Sequence, residues 1–392
     1  MGKWIPSFGA VPVEYHYEIG CFEDISEKAV IRNNLRGSKL RVTFANPDSP
    51  DEMRIECASI ALRDRVTGRR SPDYPLTLDG QERILLAPGE KRLSDEAEIP
   101  VTERDDFILK LYFKERTVLC SAVVTWRLGV WQCSQFKGDH RNGSLGYTVK
   151  QELCPGLAAD PYPNHFLVGV TAVSVYADED ARLLGLMGDS VTHMGFFSDP
   201  LILALYEKYP GRLAVINAGV CGNRIARDFP RVAISPGEGH QFGAAGKDRF
   251  LRDLYGEAVP DTVFVMEGVN DCTHWMVAGT EPEETPEGIF AALSSVYAQA
   301  EARGSRILMS TIMPFGADGM PWRDKADAIR RGCNDLIRQN VPAERLVDLD
   351  EIMRDPDDPS HLQDGMHLGD GVHPNDFGGY KMARAVMDRW FT

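Results

Sequence analysis

The chain has 392 residues, 43% of them hydrophobic, and a formal charge of −15. That length admits two domains and that composition supports ordinary globular cores. The acidic balance argues against nucleic acid or an anionic membrane as partner, because both need a basic face.

Residues 1 to about 180 read as all-β. Lys39–Ala45 and Ile55–Leu62 alternate apolar and polar residues, and Phe107–Phe113 and Val118–Trp126 are rich in β-branched and aromatic side chains. Turn clusters such as Asn46-Pro47-Asp48-Ser49-Pro50 and Ala87-Pro88-Gly89-Glu90 separate them. Short alternating strands between such turns predict a sandwich. Residues 133–164 carry many Gly, Pro and Asn and predict a long surface excursion, after which His165–Ala177 reads as the last strand.

From residue 181 strands alternate with helices. The strand-like runs are Leu183–Met187, Leu213–Asn217, Thr262–Met266, Arg306–Thr311 and Arg345–Leu349. Helical stretches are Ile289–Arg303, Asp324–Gln339 and Phe377–Trp390, the last with Phe377, Tyr380, Ala383, Met387 and Trp390 on one face. Another helix opens at Ser198-Asp199-Pro200, where Ser or Asp suits the cap and Pro the first turn. Five strands alternating with helices predict an α/β fold with a doubly wound parallel sheet. No apolar run reaches transmembrane length. The opening Met1–Pro6 lacks the apolar core of a secretory signal, and position 6 lacks the Ser or Thr of a myristoylation site, so a cytoplasmic protein is expected. The eight cysteines form no Cys-x-x-Cys pair and read as reduced thiols.

Four short motifs in the second half carry chemistry. An apolar strand stops at Gly188-Asp189-Ser190, a small-residue turn of the kind that presents a nucleophile beyond the carboxyl end of a parallel strand. A serine hydroxyl needs a base to act. Asn217-Ala218-Gly219-Val220-Cys221-Gly222-Asn223-Arg224 follows the second strand, and a glycine there can bring a backbone N–H to a developing oxyanion. Gly268-Val269-Asn270-Asp271 follows the third strand and offers a side-chain amide for the same task. Asp370-Gly371-Val372-His373-Pro374 precedes the last helix, and a carboxylate three residues before an imidazole can fix its tautomer. Each motif alone is compatible with an ordinary turn; their consecutive order at strand ends of one sheet is what points to acyl transfer.

With these four motifs the sequence resembles the SGNH hydrolases, also called GDSL esterases. Asn217-Ala218-Gly219 with Gly222-Asn223-Arg224, Thr311-Ile312-Met313-Pro314-Phe315-Gly316 and His373-Pro374-Asn375-Asp376-Phe377-Gly378 resemble a bacterial branch that carries an N-terminal β-sandwich. Leu40–Asn46 and Ala87-Pro88-Gly89-Glu90 with Ser94-Asp95 resemble recurrent pieces of that sandwich. The resemblance implies a flavodoxin-like five-stranded sheet in a catalytic domain over residues 181–392, with the sandwich over residues 1–180 binding carbohydrate or shaping the cleft. It implies Ser190 as nucleophile, His373 as base and Asp370 as third triad member. Ser190, Gly222 and Asn270 would form the oxyanion hole. Many members carry an acidic residue three places after the serine; here that place is His193, and Gly195 comes one residue late. His193, His274 and Trp275 are possible pocket residues, and Arg224 either braces the second turn or contacts substrate. The acidic run Glu281–Glu287 reads as a solvated loop leading into a helix.

No cofactor is expected, and no metal: His361, His367 and His373 share a loop without the spacing of His-Glu-x-x-His. Three functions fit. The first is an esterase removing short acyl, foremost acetyl, groups from a carbohydrate, its partner a small-molecule or oligosaccharide ester. The second is a general short-chain esterase, lipase or arylesterase, and the third a carbohydrate-binding protein without turnover. Oligomeric state is not readable from the sequence.

Overall fold

The computed structural model describes residues 2–140, 164–229, 240–316 and 319–390. It divides into two compact units, Met1–Leu183 with Tyr206–Ile216, and Leu184–Leu205 with Asn217–Thr392.

In the first unit every element among residues 2–140 and 164–177 is a strand. One antiparallel sheet runs in the order Lys3–Gly9, Val170–Ala177, Gly37–Ala45, Lys91–Leu93. A second runs Trp131–Lys137, Ile25–Arg32, Asp105–Phe113, Cys57–Asp64, Tyr74–Leu76. Phe8 of the first sheet meets Trp131 of the second edge to face at 6.0 Å. Asn34 donates its side-chain amide to the carbonyls of Tyr209 and Leu213, which holds the segment 206–216 within this unit.

Two sequence readings change here. The expected excursion from residue 133 begins too early, because Cys133–Lys137 is strand, paired with Ile25–Ala29. Its inward residues Trp131, Cys133 and Gln135 have the period of a half-buried strand, a signal that the Gly- and Asn-rich sequence beyond it obscured. Residues 141–163, with Cys154, lie outside the described residues. The single strand expected over His165–Ala177 is two, broken at Val168-Gly169, where Gly169 takes a positive φ of 76°. At that break Val168 donates its N–H to Glu27, a fully buried carboxylate that also accepts from the Gln135 amide at 2.9 Å. Burial pushes the Glu27 carboxyl up to about 8. The seven described cysteines are free thiols.

The α/β sheet consists of β1 (Arg182–Gly188), β2 (Leu213–Gly219), β3 (Thr262–Met266), β4 (Arg306–Ser310) and β5 (Leu346–Val347). Their order is β2-β1-β3-β4-β5, with β1-β3, β3-β4 and β4-β5 parallel. This is the doubly wound sheet that the alternation implied, in the flavodoxin-like form that the resemblance implied, with its switch between β1 and β3. The strands read as continuous apolar runs because both faces are covered; all five residues of β3 are buried.

The helices are α1 (Ser190–His193), α2 (Ser198–Lys208), α3 (Gly246–Tyr255), α4 (Val269–Val277), α5 (Pro286–Glu301), α6 (Arg323–Asn340), α7 (Leu349–Met353) and α8 (Asp376–Trp390). The Ser198 hydroxyl donates to the Thr192 carbonyl instead of capping α2. The last helix, α8, turns a different face inward than expected. Phe377 and Tyr380 are 76% and 62% exposed, while Gly378, Gly379, Met382, Ala383 and Val386 are buried. A Cβ on Gly379 would lie 1.9 Å from the Phe196 carbonyl oxygen, and one on Gly378 2.1 Å from that of Met366. The helix backbone therefore lies directly on two loops, and the glycines, not the aromatics, set its inner face. None of the helices among the described residues is long and apolar enough to cross a membrane.

Candidate active site

β1 ends at a glycine for a steric reason. A Cβ on Gly188 would lie 2.0 Å from the Thr192 hydroxyl and 2.9 Å from the Met266 carbonyl oxygen. The buried Asp189 then caps α1, its carboxylate accepting from the Val191 N–H at 3.0 Å. Burial raises the Asp189 carboxyl to about 6, against that backbone bond. Capping puts Ser190 at the first position of α1, 8% exposed.

The motif after β2 forms a tight turn over Ser190's helix. Val220 donates to the Gly188 carbonyl at 3.0 Å, which ties the ends of β1 and β2 together. Asn217 spans the Thr192 carbonyl and the Gly219 N–H. The Cys221 N–H donates to His193 Nδ1 at 3.1 Å. His193 is thus a buried support of the turn. Gly222 follows at a φ of 72°, a left-handed backbone that favours glycine. Phe242 lies against it: a Cβ on Gly222 would be 2.1 Å from the ring.

Gly268, with a φ of 117°, lets the chain turn from β3 into α4. Asn270 then stands in the first turn of α4 and donates its side-chain amide to the Asn223 carbonyl at 2.9 Å. That bond places the Asn270 amide beside the Gly222 turn with a second N–H to give. Asp271 accepts from the Ile225 and Ala226 N–H groups, both at 2.9 Å, so consecutive residues of α4 hold the same loop.

The histidine loop organises itself. Asp370 Oδ1 accepts from the Val372 and His373 N–H groups, and His367 Nδ1 accepts from those of Gly369 and Gly371. Asn375 caps α8 through the Phe377 and Gly378 N–H groups. The outcome is a hydrogen-bonded line: Asp370 Oδ2 lies 2.6 Å from His373 Nδ1, and His373 Nε2 lies 2.7 Å from Ser190 Oγ, 183 positions away in sequence. Burial works to raise the Asp370 carboxyl, but the His373 bond and the two amides outweigh it and hold it at about 2. A hydroxyl bonded to an imidazole that is bonded to an ionised carboxylate can pass its proton to that imidazole.

The other expected pocket residues lie near this turn. His274 is one helical turn beyond Asn270 on α4 and packs on Phe229 and Phe242 at 5.2 and 5.4 Å. Burial, and then the Arg224 charge, lower its imidazole to about 3, so it is neutral. Trp275 is buried with the Arg224 guanidinium over its ring at 5.0 Å. Arg224 is buried and ion-paired to Glu284, so it braces the loop. Glu284 therefore departs from the solvated reading of its acidic run. Among the described residues no group of three His, Cys, Asp or Glu could hold a metal ion; His361 is paired with Asp358 and His367 serves its own loop.

The sequence alone does not single out Arg249 or Glu267, and it places His367 only as a loop histidine that binds no metal. Arg249 sits in α3, a helix the sequence reading did not identify, and nothing in its neighbours marks it as buried.

Residues 186–379 match the family model of the GDSL-like lipases and acylhydrolases. Solved structures with similar chains include a GDSL-like lipase from Bacteroides thetaiotaomicron, 17% identical over 54% of this chain and 87% of that one, TM-score 0.37. An acetyl xylan esterase is 20% identical over 53% and 98%, TM-score 0.39. An acetyl-xylooligosaccharide esterase from Geobacillus, solved as a mutant, is 21% identical over 53% and 93%, TM-score 0.38. No curated protein matches the chain. With the Gly-Asp-Ser turn, the sheet order and this family match in agreement, residues 186–379 belong to the GDSL-like lipase/acylhydrolase family of ester hydrolases.

Proposed function

We propose that this protein removes short acyl groups, foremost acetyl, from a carbohydrate by a two-step acyl transfer on Ser190. The observation that carries the reading is the Ser190–His373–Asp370 line, with contacts of 2.7 and 2.6 Å. His373 takes the Ser190 proton as the oxygen attacks the ester carbonyl, and returns it to the leaving alcohol. Water, deprotonated in turn by His373, then releases the acid from the acyl-enzyme. Asp370, fixed by two backbone N–H groups, keeps Nδ1 protonated and stabilises the imidazolium. The N–H groups of Ser190 and Gly222 and the Asn270 amide hold the oxyanion; one such donor is worth about 3–4 kcal/mol of barrier.

The division of labour is part of the proposal: residues 181–392 carry catalysis, and residues 1–180 form a carbohydrate-binding-like sandwich. The carbohydrate rests on analogy with other esterases that carry β-modules. Ser190→Ala is expected to abolish hydrolysis of p-nitrophenyl acetate while leaving the circular dichroism spectrum unchanged. Full turnover by that variant would overturn the assignment. A chain-length series of nitrophenyl esters set against acetylated xylan separates the carbohydrate esterase from a general short-chain esterase.

A further inference from the structure

Arg249 has no part in the reaction just described, yet it is one of the largest fully buried side chains in the molecule. A guanidinium has five N–H donors in a fixed plane, and here five acceptors meet it. Nε donates to Asn223 Oδ1 at 2.8 Å. Nη1 donates to the Ala218 carbonyl at 2.8 Å and to Asp253 at 3.0 Å. Nη2 donates to the Gly188 carbonyl at 3.0 Å and to Glu267 at 3.2 Å.

Four of these acceptors are not arbitrary core groups. Gly188 ends β1 two residues before Ser190. Ala218 and Asn223 bracket the turn that carries Gly222. Glu267 follows β3, three residues before Asn270. One side chain thus ties together the ends of three strands, and each strand delivers one of the N–H donors assigned to the oxyanion. The link to Asn270 also runs through Asn223, whose side chain accepts from Arg249 and whose carbonyl accepts from the Asn270 amide.

We infer that Arg249 is the positioning residue of the oxyanion pocket, acting through the ends of β1, β2 and β3 and through Asn223. The inference rests on the esterase reading and adds to it a residue outside the four motifs. Its chemical logic is geometric. Donors must lie where the oxyanion forms, and a displacement of about 1 Å can cost on the order of 100-fold in rate. Lysine carries the charge but not the planar fork, so it cannot satisfy five acceptors spread around one plane.

The test is kinetic. Arg249→Lys is expected to lower kcat on p-nitrophenyl acetate by roughly 30- to 300-fold with KM within about threefold, counted per folded molecule by near-ultraviolet circular dichroism. In an Asn270→Ala background the same change is expected to cost only a few-fold, because both act on one pocket and their effects do not add. A merely structural role would lower the melting temperature and leave kcat per folded molecule untouched, or give losses that multiply in full; either result overturns the inference. Should Arg249→Lys not fold, Asn223→Ala cuts the same link while leaving the guanidinium its other four acceptors, and it must show the same kcat loss and the same non-additivity with Asn270. Wild-type enzyme and Ser190→Ala run alongside. If the wild type hydrolyses no ester, the reading of the site fails. If Ser190 is essential and Arg249 and Asn223 are kinetically silent, only the present inference fails.

Discussion

Gly222→Ala probes the oxyanion turn at the point where backbone and packing both demand glycine. The residue has a φ of 72°, which costs an L-residue roughly 1–2 kcal/mol. Its new Cβ would stand 2.1 Å from one Phe242 ring carbon and 2.6 Å from two more, more than an ångström inside normal contact. Overpacking of that degree costs about 1–3 kcal/mol. The destabilisation is therefore expected at roughly 2–5 kcal/mol in a urea titration. Relief of the clash must move either the ring or the turn, and the turn carries the Gly222 N–H. Losing that donor's alignment is expected to lower kcat on p-nitrophenyl acetate by about 100- to 1,000-fold. Phe242→Ala supplies the control. In that background the methyl has room, so adding Gly222→Ala is expected to cost only the roughly 1–2 kcal/mol of the left-handed backbone and to spare most of kcat. A Gly222→Ala variant with wild-type kcat and stability would refute the argument. So would a loss that Phe242→Ala does not relieve.

Two further outcomes are expected. Asp370→Asn should lower kcat on the order of 10,000-fold with little change in KM, because an amide can leave His373 in the wrong tautomer; near-normal turnover would remove Asp370 from the triad. Glu27 makes the first unit sensitive to pH, since its carboxyl titrates near about 8 in the folded chain against an ordinary 4.5. Between those values the folded form holds a proton that the unfolded chain has lost, so stability falls as pH rises. Glu27→Gln is expected to flatten that slope, worth on the order of 5 kcal/mol at its limit, in urea titrations at about pH 5 and about pH 8; an unchanged slope would assign it to another group.

The strands of the sheet and the four motif positions were legible because they are local. A parallel strand covered on both faces must be a short apolar run, and a turn that leaves such a strand must be built of small or polar residues. Leu183–Met187 and Thr262–Met266 obey the first rule, and Gly188-Asp189-Ser190 and Gly268-Val269-Asn270 the second. The spacing of Asp370 and His373 likewise lies within one loop, and the geometry inside that loop follows from it.

What the tertiary structure decided is everything set by groups distant in sequence. That the Ser190 hydroxyl meets His373 Nε2 at 2.7 Å depends on how α8 seats its glycines on the Phe196 and Met366 backbones. That His193 faces inward depends on the Cys221 N–H that it receives. That Arg249 and Glu284 are buried depends on partners tens of residues away, and periodicity assigns charged side chains to the surface. A one-dimensional pattern records which face of an element is apolar. It does not record which polar atoms will find five partners in the interior, because that is a property of the assembled fold.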